Sequence, residues 1–260
     1  MLESLSLDNF SVGFVAILLT IAAAIAAQIL TRRLIGEERL KMLHEVGGFY
    51  ITVVGALYAV VLGLVVFDAM SKFQHATETV KDEAKSIIAV YSLSDQFAGK
   101  HKDDIKRLSK EYVDEIINNE FQLMAKGQKS IKARHIIFDL MHSVKSLEPI
   151  TENQKGIFPI ILQESISIWE NRRERTDQAA YGIPSIEWIV LLTGAIITII
   201  FTYFFTTTLF KTQLFMTGLI TLIISINLYL VLVFGEPFGG DLKVSDDSYV
   251  TARQYMNDRP

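Results

Sequence analysis

The chain of 260 residues contains no cysteine. That excludes disulfides, thiolate metal sites and cysteine nucleophiles together, and leaves the compartment of any water-exposed part open. Enzyme signatures are equally scarce. There is no Walker A, no GxGxxG opening a helix and no HExxH, and GxSxG is absent too. The five histidines, His44, His75, His101, His135 and His142, are scattered. His135 and His142 share a helix face without a carboxylate at the spacing of a metal motif. The net charge of -4 is too small to argue for nucleic acid, and no basic stripe interleaved with aromatics exists. The paired carboxylates Asp82/Glu83 and Asp103/Asp104 fall on polar helix faces or near helix starts, where they are solvated or complement the helix dipole. The expectation is a protein that is not an enzyme, with no cofactor, no metal and no nucleic-acid partner.

What the chain has is apolar residues in blocks. They make up 50% of the sequence. Four runs are long enough to cross a bilayer: Val12–Leu30, Phe49–Phe67, Trp188–Phe210 and Leu214–Phe234. Each has about 19–23 residues, close to the ~20 that a helix needs at 1.5 Å per residue. Only uncharged polar groups such as Thr20, Gln28, Ser225 and Asn227 interrupt them. The N-terminus lacks a basic region and carries Glu3 and Asp8, so the first run reads as a retained span and not a signal peptide. Gly182 and Pro184 punctuate the start of the third, with Trp188 at the same boundary.

The stretch FYITVVGALYAVVLGLVVF, Phe49–Phe67, organises the rest. Gly55, Ala59 and Gly63 recur every fourth position on one helical face. Glycine costs roughly 1 kcal/mol against alanine inside a helix, so such a stripe wants close approach of another helix. The partner is either a helix of the same chain or copies of this one around an axis.

Residues 71–182 read as a helical insert. Phe73, Ala76, Val80, Ala84, Ile87 and Tyr91 continue the second run at three- and four-residue steps, as far as Gly99. Ile105, Leu108, Tyr112, Ile116 and Leu123 mark a second helix, closed near Gly127. A third covers Ile131–Leu147 and stops at Pro149. Thr151 and Gln154 form a capping-box pattern for a fourth that reaches Ala180, with a kink expected at Pro159. No strand alternation is visible. The fold class is therefore all-α, with four transmembrane helices and a helical-bundle extramembrane insert between spans 2 and 3. The expected domains are residues 1–70, 71–182 and 183–236, then a C-terminal tail of 237–260.

The link between the first two spans holds Arg32, Arg33, Arg39 and Lys41, and the last link holds Lys211. By the positive-inside rule these links are cytoplasmic, and the insert lies on the non-cytoplasmic side. The setting expected is a bacterial inner or plasma membrane.

Three groups near the membrane are site candidates. Asp68 ends the second span, where a ring of copies would act on permeating ions. Arg172, Arg173 and Arg175 form a basic cluster before the third span, suited to anions, lipid phosphates or, most safely, insert carboxylates. An interfacial turn follows the fourth span at Glu236, Pro237, Phe238, Gly240 and Asp241. Asp241, Asp246 and Asp247 lack the regular spacing of a calcium loop.

The stretch EVGGFYITVVGALYAVVLGLVVFDAMSKFQHATETVKDEAKSIIAVYSL, the block ENRRERTDQAAYGIPSIEWIVLLTGAIITIIFTYFFTT and the ending VFGEPFGGDLKVS carry a resemblance. Together they resemble the integral membrane family designated DUF4239, also called bestrophin-like. The matching positions are Gly55 to Gly63, Glu83-Ala84, the Arg172/Arg175 region, Gly194-Ala195, and Pro237-Phe238-Gly240. One departure is Asp68-Ala-Met70, where that family often has a large aromatic. Through its remote similarity to bestrophins, oligomeric anion channels, the resemblance implies a channel. Bestrophins keep their large helical region in the cytoplasm, opposite to the side that the charge count gives here.

Two functional readings remain. One is a homo-oligomeric ion channel in the lipid bilayer, passing inorganic ions along an axial pore. Its second spans line that pore through Thr52, Gly55, Ala59, Gly63 and Asp68. The other is a membrane-anchored sensor or scaffold whose insert binds a ligand or partner. Charge-free spans favour passive permeation over proton-coupled transport.

Overall fold

The computed structural model describes residues 9–180, 182–204 and 209–259; side chains 37–39, 41–47 and 49 are outside the described set. It is helical, with no strand among the described residues. Helix α1 spans Phe10–Ile35, and α2 runs unbroken for 57 residues over Glu37–Leu93. A 3-10 turn at Ser94–Gln96 leads to α3 (Lys100–Glu115), a π-helical turn (Ile116–Glu120) and the short α4 (Phe121–Met124). Then come α5 (Ile131–Lys145), α6 (Glu152–Ala180), α7 (Ser185–Tyr203), α8 (Phe210–Gly235) and α9 (Asp247–Asp258).

The chain divides into two compact units, and α2 contributes to both. The first unit holds residues up to Ser71, then Ile183–Glu236 and Gly240–Leu242. Its helices α1, α7 and α8, with the start of α2, supply four candidate spans of mean hydropathy 2.0–2.4. Their surfaces are apolar: Phe14, Leu19, Leu64, Ile189 and Phe215 are all exposed. Such a surface suits hydrocarbon, and a helix satisfies its own backbone hydrogen bonds there. The third expected span reached Phe210; residues 205–208 lie outside the described set, and α7 ends at Tyr203.

Helices α1 and α8 lie antiparallel, as three contacts show. A β-carbon on Gly13 would run into the Tyr229 ring, one on Gly218 would touch Ile25, and Arg32 stacks 4.2 Å over Phe210. Helix α2 meets α7 through Tyr58, whose hydroxyl donates to the Leu191 carbonyl at 3.1 Å. Gly194 makes room for that ring, since a β-carbon there would collide with it. Tyr58, Leu62, Leu191, Ala195, Ile224 and Val231 are the buried centre of this unit.

The second unit comprises Lys72–Gly182, Pro237–Gly239 and Lys243–Pro260. It has a conventional core, with Ile87, Ile105, Tyr112, Ile137 and Ile161 fully buried. Here α3 packs on α5, α5 on α6, and α9 on α3. Ser130 caps α5, accepting from the Ala133 amide at 3.1 Å. At α6 the capping box closes both ways. Thr151 Oγ1 accepts from the Gln154 amide at 3.2 Å, and Gln154 Oε1 accepts from the Thr151 amide at 3.0 Å. Helix α6 continues through Pro159.

Two local features differ from the expectations. The helix expected to end near Gly127 is interrupted by the π turn at 116–120, which inserts one residue into the helical ladder. Within the expected tail, Asp247–Asp258 is a helix, because Tyr249, Ala252 and Met256 form an apolar face that is wholly buried.

Candidate functional site

The second span has two unlike faces. Tyr58, Leu62 and Ala69 are buried within the first unit. Thr52, Ala59, Gly63 and Asp68 are exposed, and Gly55 is half-buried. A β-carbon on Gly55 or Gly63 would meet nothing within 4 Å. The small-residue stripe is thus turned away from the chain's own helices, and intramolecular packing does not explain it. Thr52 spends its hydroxyl proton on the Gly48 carbonyl at 2.9 Å, leaving its oxygen lone pairs outward.

The basic cluster is split by helix geometry. Positions 172 and 175 are three apart and share a face, while 173 is about 100° away. Arg173 is accordingly exposed, 3.9 Å from Asp177 and over the Trp169 ring at 5.8 Å. Arg172 and Arg175 point inward and form a buried ion-pair network in the second unit. Arg175 Nε donates to Glu83 Oε2 at 2.7 Å and its Nη2 to Glu120 Oε2 at 2.8 Å, with all three side chains inaccessible to water. Arg172 holds the other oxygen of Glu120 at 2.5 Å and the Ser130 carbonyl at 2.8 Å. Tyr112 donates to Glu83 Oε1 at 2.6 Å. Two carboxylates and two guanidiniums balance, which is how buried charge is tolerated.

The π turn ends on Glu120 and so aims it at both arginines. Phe121 follows directly; its ring lies 5.6 Å from the Arg175 guanidinium and edge-on to Tyr249 at 5.9 Å. Burial pushes the Glu120 carboxyl up, but the Arg175 and Arg172 charges outweigh it and hold it below the usual range. Burial, reinforced by Glu83, drives the Tyr112 hydroxyl well above its ordinary value. At the network's edge burial also raises Glu115, yet Ser130, Asn119 and Lys132 bring it below normal. The sequence named Arg172, Arg175 and the Glu83-Ala84 pair but not Glu120, because nothing in a one-dimensional pattern announces a π turn.

The turn after the fourth span is not a surface feature throughout. Pro237 and Phe238 are buried in the second unit, Phe238 edge-on to Phe121 at 6.1 Å. Gly240 has φ 65°, a left-handed conformation suited to glycine. Glu236 and Asp241 are exposed. Asp241 Oδ2 accepts from the Phe10 amide at 2.8 Å, an anion on the positive end of α1. Among the described residues no group of three histidine or acidic side chains could hold a metal.

Four apolar helices of spanning length define the class: this is an all-helical integral membrane protein. A family model, the Bestrophin-like domain, matches residues 18–249, and the chain belongs to that family. Comparison with curated proteins finds no match. Among solved structures, the chain is similar to a bacterial Bestrophin homologue from Klebsiella pneumoniae, with a TM-score of 0.68 at 12% identity, covering 93% of this chain and 97% of that one. A variant of that homologue gives a TM-score of 0.69, covering 93% and 98% at 12% identity. A structure described only as a membrane protein gives 0.70 at 12% identity, covering 93% and 97%. The shared feature is the fold.

Proposed function

We propose that the protein is a subunit of a homo-oligomeric ion channel, with α2 helices from several copies lining an axial path. The observation that carries this reading is the unpacked face of α2. Thr52, Ala59 and Gly63 are exposed on a membrane helix, and Gly55 and Gly63 leave open space where side chains would stand. Small residues let backbones come close around an axis, and the aliphatic side chains between them narrow the path by dewetting. Membership of the Bestrophin-like family and the fold of the Klebsiella homologue agree with this reading. Asp68 then sits at one mouth of the path, and the buried Glu83–Arg175–Glu120–Arg172 network stiffens the second unit, to which α2 contributes. The charge-free spans suit passive flux of inorganic ions.

The absence of native cysteine makes the test direct. In liposomes, a water-soluble thiosulfonate should block ion flux through the Thr52→Cys protein and leave Val190→Cys unaffected, since Val190 faces outward on α7. Flux that survives complete modification of Thr52→Cys would remove α2 from the path.

A further inference from the structure

The spans contain a buried polar seam contributed by α1, α7 and α8. Along α8, Gln213, Thr217, Thr221 and Ser225 recur every fourth residue, and all four are buried. On α7 Thr198 and Thr202 are buried, and on α1 so is Gln28. The antiparallel register of α1 and α8, set by Gly13 against Tyr229 and Arg32 over Phe210, brings Gln28 level with Gln213 and Thr217.

The hydrogen-bond inventory of the seam is incomplete in a specific way. Thr217 donates to Thr202 Oγ1 at 3.2 Å, Thr202 to the Ile199 carbonyl at 2.6 Å, and Thr198 to the Gly194 carbonyl at 2.8 Å. Those protons are spent. Gln28 Oε1 and Nε2, Gln213 Oε1 and Thr221 Oγ1 are buried with no partner among the described residues. Buried amides are not left unpaired without heavy cost, least of all in hydrocarbon.

We infer that this seam is an internal hydration site, in which water bridges Gln28 to Gln213 and reaches toward Thr221. The chemistry of the unpaired atoms selects the ligand. Gln28 Oε1 and Gln213 Oε1 need donors, while Gln28 Nε2 needs an acceptor. A metal cation serves only the oxygens, and a halide serves only the N–H groups. Water does both, with two to four partners, as buried water requires. The seam side chains themselves are uncharged, and the one guanidinium at the seam's end, that of Arg32, is stacked over Phe210. Gln213 lies one turn inside α8 and Thr221 about 16 Å from its start at 1.5 Å per residue, so the site is a wet column one to three turns deep.

The test is a structure of the full-length protein in lipid that resolves ordered solvent, with parallel crystals soaked in bromide or rubidium. Discrete solvent peaks are expected about 2.7–3.2 Å from the Gln28 amide and Gln213 Oε1, with no anomalous signal. In Gln28→Leu those peaks should vanish. A direct Gln28–Gln213 hydrogen bond with no peak between them would overturn the inference, as would bromide or rubidium signal at the seam. The wild-type protein suffices for both arms should Gln28→Leu fail to fold.

Discussion

Arg175 and Glu83, 92 residues apart in sequence, meet at 2.7 Å with neither side chain reached by solvent. One guanidinium thereby ties α6 to α2, and its second arm ties both to Glu120. Breaking a buried pair strands a charge and costs about 3–5 kcal/mol. Arg175→Met should lower thermal stability by that order. Arg175→Lys should recover little, because an ammonium cannot span Glu83 and Glu120 as a planar fork does. Calorimetry or fluorescence melting of the purified protein reads both, and near wild-type melting of Arg175→Met would contradict the assignment.

Acid should unfold the second unit through the same network. The Glu120 and Glu115 carboxyls are held below their ordinary values. A depressed folded pKa gives stability that is fully present above the unfolded value, about 4.3, and is lost as pH falls through the folded one. Melting temperature should therefore fall below about pH 4. Glu120→Gln should start lower and show a flatter acid limb; an equally steep limb would exclude Glu120 as a source.

Two glycines in the spans should respond oppositely. Gly194→Val drives a side chain into the Tyr58 ring and should cost about 1–3 kcal/mol, the range of overpacking. Gly55→Ala adds a methyl where nothing lies within 4 Å and should change stability by less than about 0.5 kcal/mol. Melting of the two variants compares them directly.

By the positive-inside rule the basic links, with Arg32 and Arg33 in the last turn of α1 and Lys211 at the start of α8, predict an insert on the non-cytoplasmic side. On that basis an impermeant maleimide should label Gln128→Cys, an exposed position, in intact cells. Labelling only after lysis would put the insert in the cytoplasm, where bestrophins carry theirs.

The spans were legible because uncharged apolar runs of about 20 residues have few other uses. The start of α6 was legible for a local reason too, since Thr151 and Gln154 satisfy each other's amides three residues apart. Helix α9 carries a weaker signal: Tyr249, Ala252 and Met256 are spaced for one face, yet the run is short and polar between them. Glu120 was not readable. Its position depends on a π turn and on partners 52 and 55 residues away. Nor does a sequence tell which side of the Gly55–Gly63 stripe the chain's own helices take; that depends on Tyr58 reaching Leu191 on α7.

Ion flux through purified protein in liposomes tests the channel most directly, with chloride, potassium, sodium and calcium gradients applied separately. Selective flux is expected from the wild type, and Gly63→Leu, which fills the open face of α2, should abolish it. Flux that persists in Gly63→Leu, or no flux under any gradient from folded protein, would contradict an axial path along this helix.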